Sequence, residues 1–200
     1  MTAHDRDFEQ RGGSVHSPTE EFHAFFEQHH AELARLAYLL LGDAEEADDL
    51  AADAFVALWH RWDRVRAADR PAAYARGVLA NLARTHIRSR TRERRRIALF
   101  WSRYAEPSEG PDVPAVLDVR EALARLPFRR RACVVLRHAL DVSERDTART
   151  LGISTGTVKS QASRGMAELE KLLKPGEESL PGSVDTVLAL RGERAGRYTW

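Results

Sequence analysis

The stretch Ser143-Glu144-Arg145-Asp146-Thr147-Ala148-Arg149-Thr150-Leu151-Gly152-Ile153-Ser154-Thr155-Gly156-Thr157-Val158-Lys159-Ser160-Gln161-Ala162-Ser163-Arg164 contains two helix starts separated by Gly152. Ser143 and Ser154 are residues that cap helix N-termini, and a glycine between two helical runs ends the first one. A short helix, a glycine turn and a longer helix form the arrangement that lays a recognition helix in a DNA major groove. Ala148 is the small residue and Val158 the packing residue that such a turn needs. The residues that then point outward are Thr155, Thr157, Lys159, Ser160, Gln161 and Arg164, whose groups can meet bases and phosphates.

Downstream, Val158, Met166, Leu169, Leu172 and Leu173 keep the second helix amphipathic to residue 173. Upstream, Val116, Leu123 and Leu126 mark a short helix. Pro127 can open another that carries Val134, Val135, Leu136 and Leu140. Still earlier, Tyr104 to Pro114 collects prolines, a glycine and acids without periodicity, which reads as a flexible linker over 99–115. Fully extended, it would reach on the order of 50 Å.

The other side of the linker is helical as well. Phe22, Phe25, Phe26, His29, Leu33, Leu36, Ala37 and Leu40 recur with helical spacing, between a Ser17-Pro18-Thr19-Glu20 capping box and Gly42. Asp43 starts a second helix with Ala47, Leu50, Ala51, Ala54, Phe55, Leu58 and Trp62 on its inner face. Asp63 to Arg70 reads as a charged connector. Pro71 then opens a third helix with Tyr74, Val78, Leu82 and Ile87 inside. The fold class is all-α: two small helical domains, 18–98 and 116–173, joined by a linker, with the helix–turn–helix in the second. Residues 174–200 form a mostly polar tail with a small apolar patch, Val184 to Leu190, and read as disordered.

Two charge clusters stand out. Arg84, Arg88, Arg90, Arg92, Arg94, Arg95 and Arg96 are opposed only by Glu93, and a guanidinium stripe of this kind matches a phosphate backbone. Asp43, Glu45, Glu46, Asp48, Asp49 and Asp53 make the second helix acidic. They spread over several faces with no converging histidine and no calcium-loop spacing, so docking on a basic protein surface is a better reading than catalysis or metal binding. The adjacent His29 and His30 point to different faces of their helix, and no phosphate-binding glycine loop or nucleophile elbow is present. No catalytic residue, metal ligand or cofactor is expected.

The whole chain has 200 residues, 31 Lys+Arg against 30 Asp+Glu, and 43% hydrophobic residues, enough for packed cores. The lone Cys133 cannot make an internal disulfide, no apolar run is long enough for a membrane span, and the start is polar. A cytoplasmic location without membrane insertion is the expectation. Its formal charge of +1 is a near-cancellation of segregated clusters, which suits two partners of opposite sign.

The run from Asp43 to Phe55, followed by Pro71-Ala72-Ala73-Tyr74, Asn81 and the arginines, resembles the second conserved region of bacterial RNA polymerase sigma factors of the extracytoplasmic function class, group IV of the sigma-70 family. Leu123 to Pro127 with Arg131, then Gly152 to Arg164, resembles their fourth region. The order of the two motif sets around a linker is what makes the resemblance specific.

The resemblance implies a promoter-specificity subunit that binds core RNA polymerase, recognises −10 and −35 elements and helps open the promoter. Asp49, Leu50, Asp53 and Phe55 would dock on the clamp helices of the polymerase largest subunit, and the fourth region on its flap. Asn81, Arg84, Arg88 and Arg92 would hold the opened −10 strand, and Thr155 to Arg164 would read the −35 element. An anti-sigma factor is a further partner that the resemblance allows. Ala52, Tyr74 and Thr85 stand where the family often has glutamine, tryptophan and aspartate. The rival reading from the residues alone is a stand-alone helix–turn–helix regulator whose first domain senses a signal or dimerises; the arginine stripe would then have no assigned role.

Overall fold

The computed structural model describes residues 17–101 and 118–173, and all regular structure among them is helical. Helix α1 spans Pro18–Leu41. It begins with the expected capping box: the Ser17 hydroxyl accepts from the Glu20 amide at 3.2 Å, while the Ser17 amide donates to the Glu20 carboxylate at 2.8 Å. It ends at Gly42, whose φ of +82° a side-chain-bearing residue rarely adopts. Helix α2, Ala44–Trp59, is capped by Asp43, which accepts from the Glu46 amide at 3.0 Å.

Two sequence-based boundaries change here. The connector from Asp63 to Arg70 contains a helical turn, α3 at Trp62–Arg66, and Trp62 belongs to it rather than to α2. The cause is apolar: Trp62 and Val65, three residues apart, are both buried against the first helices. Helix α4 then runs Pro71–Trp101, past the expected end of the domain at 98. No glycine or proline interrupts residues 78–101, so nothing stops the helix at the start of the proposed linker. The rest of that linker and the tail with its apolar patch lie outside the described residues, as does Val116.

The second half holds α5 (Val119–Arg125), α6 (Phe128–Val134), α7 (Glu144–Leu151) and α8 (Thr155–Leu173). Helix α6 widens into a π-helical turn over Val135–Ala139, closed by the Leu140 amide on the Val135 carbonyl at 3.1 Å. Ser143 caps α7, accepting from the Asp146 amide at 3.1 Å, and Gly152 makes the turn to α8 at φ +63°.

Buried leucines hold each half together: Leu33, Leu36 and Leu40 of α1 meet Leu58 of α2 and Leu79 of α4, while Leu123, Leu136, Met166 and Leu169 fill the second half. Each such side chain contributes about 1.5–3 kcal/mol on leaving water. The halves also touch. Arg131 of α6 reaches across to the C-terminal end of α1, donating to the Leu40 carbonyl at 2.5 Å and, within its own half, to Ala124 at 2.7 Å and Leu126 at 3.2 Å. On the other side α7 lies against α4, where the small Ala73 and Gly77 let the backbones approach.

Candidate polymerase and nucleic-acid interfaces

Helix α2 divides by its period. Leu50 and Phe55 are only 5% and 4% exposed, so they face the core and brace the helix, whereas Asp49 and Asp53 stand in solvent one turn apart. Of the expected docking set, the two aspartates therefore present a surface and the two apolar residues hold it in place. Exposed Val56 lies one turn beyond Asp53, and Trp59 and Phe26, 42% and 36% exposed, flank it. Phe26 packs on Phe55 with ring centroids 4.6 Å apart, and His30 stacks against the same ring at 5.9 Å. Acidic side chains beside an uncovered aromatic patch form a surface suited to a partner that is basic and apolar. Sequence patterning missed this patch, because Phe26 lies on the apolar stripe of α1 and looks like core until the neighbouring helix fails to cover it, while Val56 and Trp59 fall outside the inner stripe of α2.

Helix α4 carries the basic surface. Asn81, Arg84, Arg88 and Arg92 are all exposed and follow one another along one side. The Arg84 guanidinium donates to the Asn81 side-chain carbonyl at 3.1 Å. Arg90 differs from its neighbours. It bonds the Glu46 carboxylate on α2, which His86 also meets at 3.2 Å, so this arginine fastens the acidic helix to the basic one. Beside Asn81 a groove of about 470 Å³ opens between Asp69 and Arg70 of the α3–α4 loop, Tyr74 of α4 and Arg149 of α7.

In the helix–turn–helix, Thr155, Lys159, Ser160 and Arg164 are exposed on α8, and Thr157 and Gln161 are partly covered. Ser154 caps this helix through the Thr157 amide at 3.1 Å, and its hydroxyl also pairs with that of Thr157 at 2.8 Å. The Ser160 hydroxyl donates back to the Thr157 carbonyl at 3.1 Å. Lys159 and Arg164 are consequently the long cationic side chains free to extend from this face. No group of three or more His, Cys, Asp or Glu among the described residues could hold a metal ion.

The family model "Sigma-70 region 2" matches residues 25–93, and "Sigma-70, region 4" matches residues 117–169. ECF RNA polymerase sigma factor SigM of Mycobacterium tuberculosis is 32% identical over 171 residues, which cover 85% of this chain and 86% of that one. The chain belongs to the ECF RNA polymerase sigma factors. The sigma-E factor of Streptomyces avermitilis is 31% identical over 162 residues, 80% of this sigma factor and 89% of that one.

Solved structures agree with the fold. Sigma factor RpoE of Bartonella quintana, crystallised with the anti-sigma factor NepR, superposes with a TM-score of 0.59 at 25% identity, covering 78% of this chain and 99% of that one. CnrH, solved with the cytosolic domain of CnrY, gives 0.59 at 25% identity over 80% of this chain and 91% of that one. The region 2 match contains both the acidic face of α2 and the basic side of α4, and the region 4 match contains the exposed face of α8. A stand-alone regulator with a sensor domain is thereby set aside, since the first half of this sigma factor is a region 2. None of its described helices is long and apolar enough to cross a membrane.

Proposed function

We propose that this sigma factor divides its work between three surfaces: α2 docks on core RNA polymerase, the Asn81 side of α4 holds the opened −10 strand, and α8 reads the −35 element. The observation that carries this assignment is the segregation of charge on one half of the chain. Asp49 and Asp53 face solvent on α2, while Arg84, Arg88 and Arg92 face solvent on α4. The Glu46–Arg90 pair clamps the two helices together. A subunit that grips a basic protein and a polyanion at once needs this arrangement.

Unstacking a base costs a few kcal/mol, which an arginine stripe and a polar groove beside Asn81 can offset by holding the separated strand. Tyr74, at the groove's edge, offers a ring on which a base can stack. The role is binding and positioning, so the chain itself makes no covalent bond and polymerisation belongs to the core enzyme. Its partners are the clamp helices and flap of that enzyme, promoter DNA and an anti-sigma factor, and its place is the cytoplasm, where these occur. The domains 18–98 and 116–173 contain the matched regions, residues 25–93 and 117–169, with 99–115 as the linker between them and 174–200 as a tail.

Reversing charge at both Asp49 and Asp53 to Arg is expected to weaken association with core polymerase at least tenfold, about 1.4 kcal/mol or more, while duplex binding through α8 stays unchanged. Size-exclusion co-elution and anisotropy measure the two separately. Unchanged polymerase affinity would remove α2 as the docking surface, and failure of the parent chain to support initiation in vitro would remove the whole assignment.

A further inference from the structure

Helix α4 outruns the body it packs on. Its inner face is set by Leu79 and Ala83, both fully buried, and is carried on by His86 and Arg90, which meet Glu46 in the first turn of α2. Past that pair α2 has little left to offer, because it begins at Ala44. From Arg90, α4 continues for eleven residues to Trp101, about 16 Å at 1.5 Å per residue. The step of three or four residues that links Leu79 to Arg90 brings Ile97 and Phe100 onto this face next, and they are 48% and 63% exposed. The core-facing side of α4 therefore leaves the core still apolar. Asn81, Arg84, Arg88, Arg92 and Arg95 follow the opposite side of the helix, so a nucleic acid held there does not cover it.

We propose that this stripe is the seat of the chain's own C-terminal segment, Val184 to Leu190, which folds back onto the end of α4 as an intramolecular cover. The apolar pattern fits. Val184, Val187 and Leu188 have the spacing of one helical face and match a narrow apolar stripe. The charges fit as well. From Pro175 to Leu190 the chain carries Glu177, Glu178 and Asp185 and no Lys or Arg, whereas Arg94 and Arg96 flank Ile97. Arg96 is held only by a solvent-exposed pair with Glu93 at 3.5 Å, which an incoming carboxylate can replace.

Reach and origin favour this occupant over a separate molecule. Eleven residues separate Leu173, the end of α8, from Val184, a span of up to about 36 Å. Helix α8 packs on α5, and Arg120 of α5 lies against Gly42, where a Cβ would be 3.4 Å from its side chain. Gly42 adjoins the start of α2, whose Glu46 pairs with Arg90, so the tail sets out from the end of the molecule at which α4 projects. A segment tethered this closely acts at about millimolar effective concentration, which a free partner must outcompete. Seated there, the tail steadies the last turns of α4 and leaves the arginine side open.

Hydrogen exchange on the full chain tests the seat. Val187→Asp with Leu188→Asp alters only the tail and should speed exchange of the amides of residues 94–101 about fivefold or more, with α1 and α8 unchanged. A free peptide of residues 177–191, added in excess, should restore the slow exchange. Equal exchange in the parent and the aspartate variant overturns the proposal. A p-benzoylphenylalanine in place of Leu188 gives a second readout: irradiation should join it to residues 94–101 of the same chain, and Ile97→Asp with Phe100→Asp should abolish the product. A crosslink elsewhere, or one formed between an isotope-labelled and an unlabelled chain, overturns it, the latter by giving the stripe to a second copy. So does protection of residues 94–101 that appears only with phosphatidylglycerol vesicles or with core polymerase. Affinity of the aspartate variant for a random-sequence duplex should stay within about twofold of the parent, and a larger change would put the tail on the arginine side instead.

Discussion

Arg131 shows how one side chain can carry structure that its neighbours in sequence do not announce. It is 7% exposed, and burial pulls its pKa down, yet it satisfies three backbone carbonyls from two halves of the chain. A planar fork of donors makes this possible, which a lysine could not match. His29 is a partly buried polar residue, packed on Phe25 with ring centroids 4.4 Å apart and flanked by Glu32 and Arg76. Burial lowers its pKa below the ordinary 6.5, the nearby Glu32 opposes this and Arg76 adds to it. The unfolded chain therefore takes up the proton first as pH falls. Stability should be highest above about pH 6.5 and decline on acidification until the folded pKa is passed. Thermal melts at pH 7.5 and 5.5 should show this decline, and His29→Gln should flatten it; an equal decline in the variant would assign the effect elsewhere.

Among the elements, α8 depends on a residue without a side chain. A Cβ at Gly165 would lie 2.4 Å from Val134 and 2.9 Å from Arg130, so α6 and α8 pack at a distance only glycine permits. Gly165→Ala gains about 1 kcal/mol of helix propensity but must push the helices apart, a strain of about 1–3 kcal/mol. Lower Tm and a weakened helix–turn–helix are expected, and a rise in Tm would contradict this packing. On the outer side of the same helix, Arg164→Ala should reduce the salt slope of duplex binding by about 1 if the guanidinium meets a phosphate, or cost about 1–3 kcal/mol with relaxed sequence preference if it meets a base. Unchanged affinity and slope would mean that this side chain does not reach DNA. Most elements were legible beforehand, since Ser17, Gly42, Asp43, Ser143 and Gly152 punctuate them by local backbone chemistry. The turn at Trp62–Arg66 was not, because its signal is two apolar residues among charges that only a neighbouring core makes helical.

Across the whole molecule, the near-zero net charge hides an acidic face on α2, a basic side on α4 and cations on α8. Asp146 of α7 pairs with Arg70 at the entry to α4. Hydrogen bonding from Ser143 lowers its pKa first, burial opposes, and Arg70 and Arg149 lower it further. Its contribution to stability is thus present above the ordinary carboxylate range and lost as pH falls through the lowered value. Thermal melts on acidification should show Tm falling through that range in the parent chain, and Asp146→Asn should lose part of that fall; an equal fall in the variant would assign the effect elsewhere. The helical class, the order of the elements, the charged helices and the helix–turn–helix were determined by the sequence alone, because caps and a 3.6-residue period act within a few residues of chain. The tertiary structure decided what lies across each face: that Leu50 and Phe55 turn inward, that Trp59 and Val56 stay uncovered, and that α7 meets Gly77 beside Asn81. A helical period states which side of a helix is buried, but the partner against which it is buried comes from residues roughly 70 positions away, as with Ala73 and Thr150 at a separation of 77.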